Sequence, residues 1–128
     1  MTILLDTHII IWLITDPDKV SAVHQSLISN ANRRYISAVS FAEVAFKHRK
    51  NPVAFPYTTK HLEQALSDLA AVELVLSREH VSCVAQLPQR HKDPFDHLLM
   101  AQTISESILF ATTDSAILEY QADGLKIA

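Results

Sequence analysis

Thr2-Ile3-Leu4-Leu5-Asp6-Thr7-His8-Ile9-Ile10-Ile11-Trp12 is the stretch on which the fold turns. Ile3 to Leu5 make an apolar run too short for a helix, closed by an acid and followed at once by a denser apolar segment from Ile9 to Ile14. Runs this short suit parallel strands buried on both faces. The same shape recurs at Tyr35-Ile36-Ser37, Glu73-Leu74-Val75-Leu76 and Leu109-Phe110-Ala111, with Leu125-Lys126-Ile127 as a further strand. Between the runs lie apolar residues at helical spacing: Val20, Val23, Leu27 and Ile28; Phe41, Val44 and Ala45; Leu62, Ala65, Leu66 and Leu69; and, after Pro94, Leu98, Leu99, Ala101 and Ile104. Pro94 fits a first helical turn, where its missing N–H costs nothing. Short strands alternating with longer helices predict an α/β domain of three layers, in which ligands bind beyond the carboxyl ends of the strands.

Composition narrows the function classes. At 128 residues the chain is long enough to form one domain over 1–128 without metal or disulfide staples. A single cysteine allows no intrachain disulfide and no clustered-thiol metal site; Cys83, among Val81, Val84 and Leu87, reads as a buried thiol. One glycine, Gly124, removes the phosphate-cradling and dinucleotide loops that need several. A formal charge of -3 argues against nucleic-acid binding through overall charge and leaves a local patch open. With no basic leader and no apolar run long enough to span a bilayer, a cytoplasmic protein without membrane attachment is expected.

Acids recur at the junctions. Asp6 follows the first strand, Glu43 is placed in the first turn of the helix after the second, Asp93 and Asp96 bracket the Pro94 helix start, and Asp114 follows the strand ending near Thr112. Parallel strands would carry these addresses to one edge of the sheet. Converging carboxylates repel unless a cation lies among them, and such oxygen ligands select magnesium or manganese for metal-assisted hydrolysis. The same residues also read as helix caps: Ser40-Phe41-Ala42-Glu43 has the capping-box pattern, Asp93-Pro94 starts a helix, and Asp6 and Asp114 suit N-terminal positions. Spacing alone leaves both readings open.

Four segments, Leu4 to Trp12, Ser37 to Ala45, Lys92 to Gln102 and Ala111-Thr112-Thr113-Asp114, together resemble PIN-domain proteins, specifically the VapC-like toxins of bacterial toxin-antitoxin pairs. The resemblance implies a PIN-like α/β fold with a short-stranded, mostly parallel sheet, and a magnesium- or manganese-dependent endoribonuclease. It implies Asp6, Glu43, Asp96 and Asp114 as metal carboxylates, Asp93 as a support and Thr112 as a hydroxyl that helps position the metal shell or phosphate. Expected partners are RNA, a cognate antitoxin protein and a second copy in a homodimer. His97 stands where many relatives carry Arg. Rival readings are a catalytically silent binding or regulatory module and a phosphohydrolase acting on small substrates.

Basic runs nominate the substrate contacts. Lys47-His48-Arg49-Lys50 is the densest, with Arg33-Arg34 elsewhere, and Arg90-His91-Lys92 lies just ahead of Asp93. Lys47, Arg90, Lys92 and His97 are the candidates for contact with RNA phosphate. The seven histidines lack zinc-motif spacing, and His8 and His97 read as neighbours of the acids. Trp12 is expected in the core, and Phe41, Phe46, Phe55 and Tyr57 are expected to line one groove for the antitoxin.

Overall fold

The computed structural model describes residues 1–128. Strand β1 (Thr2–Leu5) leads into helix α1 (Thr7–Thr15), followed by α2 (Ala22–Asn30), β2 (Arg33–Ser37), α3 (Ala38–Lys50) and α4 (Thr59–Asp68). Then come β3 (Val72–Leu74), α5 (Arg78–Val84), α6 (Pro94–Glu106), β4 (Leu109–Ala111), α7 (Ser115–Leu118) and β5 (Lys126–Ile127). The strands form one sheet in the order β3-β2-β1-β4-β5, and every pairing is parallel. Leu4 stands opposite Tyr35 on one side and Phe110 on the other.

Strand alternation divides the core into two layers. Ile3, Leu5, Ile36 and Ala111 face one side and pack under Ile9 and Ile10 of α1, Val44 of α3, and Leu62 and Ala65 of α4. Leu4 and Phe110 face the other, beneath Leu99 and Met100 of α6 with Ile117 and Tyr120. The chain therefore leaves β1 and β4 towards opposite faces. The crevice this opens between their carboxyl ends is the switch point at which open parallel sheets bind ligands.

Several local expectations shift. The third strand starts earlier than the run Glu73 to Leu76 suggested; Val75 and Leu76 lie beyond it and are exposed. β3 is an edge strand with one partner, so only Leu74 needs to turn into the core. Helix α3 begins at Ala38, capped by Ser37, whose hydroxyl accepts the Val39 N–H at 2.9 Å and donates to the buried Gln102 side chain. Ser40 is consequently inside the helix, and Glu43 lies one turn deeper than a capping box would put it. Cys83 is only partly buried on α5, in a shallow depression with Arg78, Glu79, Ser82 and Gln86, because α5 presents this face to solvent. Gly124, at φ +98°, ends the 3₁₀ turn Glu119–Asp123 in the left-handed conformation that favours glycine. No helix is long and apolar enough to cross a membrane.

The Arg33-Arg34 pair starts β2, at the opposite end of the strand from its carboxyl-end exit into α3. Arg34 donates to the carbonyls of Leu69 at 2.7 Å and of Ile28 and Ala31 at 3.0 Å, tying together the C-terminal ends of α2 and α4. Arg34→Ala is expected to lower unfolding free energy by about 2–3 kcal/mol, the scale of lost charged hydrogen bonds. Urea denaturation checks this, and a change below about 0.5 kcal/mol, the usual range for surface substitutions, contradicts it.

Candidate functional site

Three of the junction acids cap helices, and each does so with one oxygen. Asp6 Oδ1 accepts the Thr7 N–H at 2.8 Å, Asp93 Oδ1 that of Phe95 at 2.9 Å, and Asp114 Oδ1 that of Ala116 at 2.9 Å. The second oxygen is turned elsewhere in every case. Asp6 Oδ2 accepts the Thr112 hydroxyl at 2.7 Å, Asp93 Oδ2 lies 3.6 Å from Lys47 Nζ, and Asp114 Oδ2 lies 3.7 Å from His91 Nε2. Capping and site formation thus use the same carboxyl groups without competing.

Glu43 and Asp96 arrive from inside helices. Glu43, 2% exposed, accepts the Thr7 hydroxyl at 2.7 Å on Oε1 and Lys47 Nζ at 2.5 Å on Oε2. The Thr7 hydroxyl carries one proton, which goes to Glu43, so Ser40 at 2.9 Å acts as donor to Thr7. Asp96 Oδ2 lies 2.6 Å from His91 Nε2.

Asp6, Glu43, Asp93, Asp96 and Asp114 line a single pocket of about 390 Å³ with Lys47, His91, His8, Thr113 and Trp12. Two groups have donor atoms close enough to share a metal ion: Glu43, Asp93 and Asp96, and His91, Asp96 and Asp114, each within 4.8 Å of one another. Asp96 belongs to both.

The electrostatics follow from crowding. Burial, reinforced by the charges of Asp6, Asp93 and Glu43, pushes Asp96 up to about 7 against the pull of the His91 hydrogen bond. Asp6 is raised by burial, with Glu43 adding to it, against its hydrogen bonds from Thr112 and the Thr7 N–H. Burial disfavours the charge on Lys47, but Glu43, Asp93 and Asp96 outweigh it and raise its pKa. His91 is likewise raised, burial being overcome by Asp96, Asp114 and Asp93. The pocket draws in protons and cationic side chains because its carboxylates lack enough positive charge.

Of the residues nominated from sequence, the structure gathers Asp6, Glu43, Asp93, Asp96, Asp114 and Lys47 around this pocket, with Thr112 behind Asp6, between its Oδ2 and the Asp114 N–H at 3.1 Å. It does not bring Arg90, Lys92 or His97 into the lining. Arg90 is bonded to Asp123 at 2.8 Å and the Glu119 carbonyl at 3.2 Å and lies over the Tyr120 ring. Lys92 is exposed, and His97 is turned towards the Tyr120 hydroxyl at 3.5 Å. Trp12, expected in the core, is half-buried, with one edge on the core, its ring beside His8 and the pocket at its surface. The aromatic groove divides: Phe41, Phe55 and Tyr57 pack on the α1/α4 layer, whereas exposed Phe46 pairs with Phe95, which packs on the opposite layer.

Residue-type reasoning missed His91, Thr7 and Ser40. His91 was hidden in a basic run, and its signal was its place two residues before a helix-capping acid. Thr7 and Ser40 act only through contacts 33 and 36 residues apart, which no local pattern shows.

A parallel α/β domain with carboxylates gathered at its switch point is the class these features define. The PIN domain family model matches residues 3–122, and the chain belongs to the PIN-domain family. Among solved structures it is similar to VapBC2 from Rickettsia felis bound to a DNA fragment from their promoter, with a TM-score of 0.73 at 17% identity over 100% of this chain and 98% of that one. DNA-bound VapBC from Salmonella typhimurium gives 0.71 at 17% over 100% and 97%, and FitAcB from Neisseria gonorrhoeae 0.66 at 24% over 98% and 95%. At these identities the likeness is one of fold. No curated protein sequence matches significantly.

The raised groups set a pH dependence. Asp96 is ionised above about 3.8 when unfolded but stays protonated towards about 7 when folded, so its contribution to stability falls as pH rises across that window. His91 acts in the same direction: its stabilisation is complete below its unfolded value of 6.5 and is lost as pH rises through its raised folded value. In chelator-treated protein, the melting temperature of Asp96→Asn relative to wild type is expected to rise from pH 4 to pH 7. A constant or falling difference in thermal scans contradicts it.

Proposed function

We propose that this chain is a magnesium- or manganese-dependent endoribonuclease, the toxin of a toxin-antitoxin pair. The observation that carries the reading is the convergence of five carboxylates on one pocket whose lining has a single apolar residue, Trp12. Their oxygens are hard ligands of the kind magnesium and manganese take, and Lys47 alone offers them a permanent positive charge. The donor chemistry therefore fits a divalent ion, which Glu43, Asp93, Asp96 and Asp114 would hold; Asp6, in neither ligand set and with both oxygens hydrogen-bonded, would join them by giving up the Thr112 hydroxyl. When bound, such an ion would supply positive charge against a scissile phosphate and lower the pKa of a water, so that its deprotonated form is available to attack phosphorus.

The chain's own groups prepare the site. Thr112 and the Thr7 N–H fix both oxygens of Asp6, and the Ser40–Thr7 relay fixes Glu43. This holds the donors in place before substrate arrives. Lys47, partly exposed between Glu43 and Asp93, is the fixed cation best placed to meet an RNA phosphate, and His8 and Thr113 offer polar contacts at the rim. Assignment to RNA and to a cognate antitoxin is supported by PIN-family membership, the fold likeness to VapBC proteins and the toxin resemblance of the four sequence segments. The same reading makes the protein cytoplasmic and homodimeric.

Single Asp6→Asn and Asp96→Asn proteins, verified as folded by circular dichroism, are expected to lose magnesium-dependent RNA cleavage by about a hundredfold or more, as when a transition-state electrostatic contact is removed. Full activity in both overturns the reading. Inhibition of cleavage by unlabelled RNA but not by small phosphate esters is the accompanying expectation.

A further inference from the structure

We propose that His91 is itself a metal ligand, through Nε2, completing with Asp96 and Asp114 a position that prefers manganese to magnesium. This rests on the metal-dependent reading above and goes further by placing a nitrogen in the donor set. His91 lies in the irregular segment between α5 and α6, yet that segment is pinned. The buried Tyr120 hydroxyl accepts the backbone N–H groups of Arg90 and His91, both at 2.9 Å, and donates to the Pro88 carbonyl at 2.7 Å. Arg90, bonded to Asp123, holds the outer side. The imidazole is thus presented to the pocket by a backbone that is already hydrogen-bonded.

The geometry suits coordination. His91 Nε2 is 2.6 Å from Asp96 Oδ2 and 3.7 Å from Asp114 Oδ2. Two ligands at right angles around an ion with bonds of about 2.1 Å stand about 3.0 Å apart, and opposed ligands about 4.2 Å. The 3.7 Å separation lies between these values, and the 2.6 Å one is a hydrogen bond that the ion would replace, with Nε2 giving up its proton and the two atoms parting by a few tenths of an ångström. The other imidazole at the pocket, His8, is exposed beside Trp12 and belongs to neither ligand set.

Ligand type then sets the preference. Glu43, Asp93 and Asp96 form an all-oxygen set suited to magnesium, whereas the His91 set mixes one imidazole with two carboxylates. An imidazole favours a first-row transition metal over magnesium, and among these manganese is the one that also suits the two carboxylates, so this mixed set biases the position towards manganese over magnesium. Asp96, common to both sets, would join two positions of unlike chemistry.

Pulsed electron paramagnetic resonance of the full chain loaded with Mn²⁺ reads the nitrogen directly. The expected result is ¹⁴N modulation from a coordinated imidazole, abolished in His91→Ala and in His91→Gln and retained in His8→Ala. In calorimetry, His91→Ala is expected to weaken Mn²⁺ binding about tenfold or more and Mg²⁺ binding less than about twofold. Mn²⁺ held by wild type and released by Asp96→Asn, but without ¹⁴N modulation or with modulation unchanged in the His91 variants, overturns the proposal and leaves the carboxylate site standing. If wild type holds neither Mn²⁺ nor Mg²⁺, the metal-dependent reading fails, and the proposal with it.

Discussion

Repulsion among Asp6, Glu43, Asp93, Asp96 and Asp114 is the constraint to which the rest of the site answers. Two unit charges 4.8 Å apart, the outer limit within each ligand set, repel by about 3–4 kcal/mol at an effective dielectric near 20. A few such pairs rival the whole stability of a domain, about 5–15 kcal/mol. The raised proton affinity of Asp96 and His91 and the ammonium of Lys47 answer part of this in the protein alone. A divalent ion relieves it more completely, and in a place where that charge can also meet a phosphate. The formal charge of -3 is therefore unevenly distributed: with five acids and Lys47 in the pocket lining, nine acids and ten bases remain elsewhere. The net negative charge resides in the pocket, and the remaining formal charge is slightly positive.

The fold bears the cost of this crowding through its helix ends. Asp6, Asp93 and Asp114 each sit where unpaired backbone N–H groups and the helix dipole favour a negative charge. Each cap takes one oxygen; the other faces Lys47 in Asp93 and His91 in Asp114, and in Asp6 it is held by the Thr112 hydroxyl. Parallel topology then brings the exits of β1 and β4 together, and the hydroxyl of Thr112 connects them across 106 residues of sequence. The pocket is consequently held by caps, a strand pairing and two threonine hydroxyls, and the ion would enter donors already oriented.

Much of this was legible in the chain. The short apolar runs marked the strands, and the placement of acids at their exits marked one edge of the sheet. Capping and a place at the pocket, which looked like alternatives for the same residue, are both present because a carboxyl group has two oxygens. The errors have equally physical causes. Ser37 takes the cap of α3 because Gln102, 65 residues away, holds its hydroxyl, and this displaces Glu43 by a turn. In Arg90-His91-Lys92-Asp93, His91 and Asp93 line the pocket, whereas Arg90 turns to Asp123 and Lys92 is exposed outside the lining. Charge content identified the segment, but the direction of each side chain depends on Tyr120, thirty residues from Arg90.

Carboxylates that converge to hold a divalent ion must bind one when it is supplied. A crystal structure of the chain grown with Mn²⁺, with anomalous diffraction recorded at the manganese edge, tests this most directly. The expected result is a strong peak inside the pocket, within bonding distance of an Asp96 oxygen and of further carboxylates, with Lys47 displaced from at least one of its acidic partners. A pocket without anomalous density at saturating Mn²⁺, and with Lys47 still bridging Glu43 and Asp93, would contradict it.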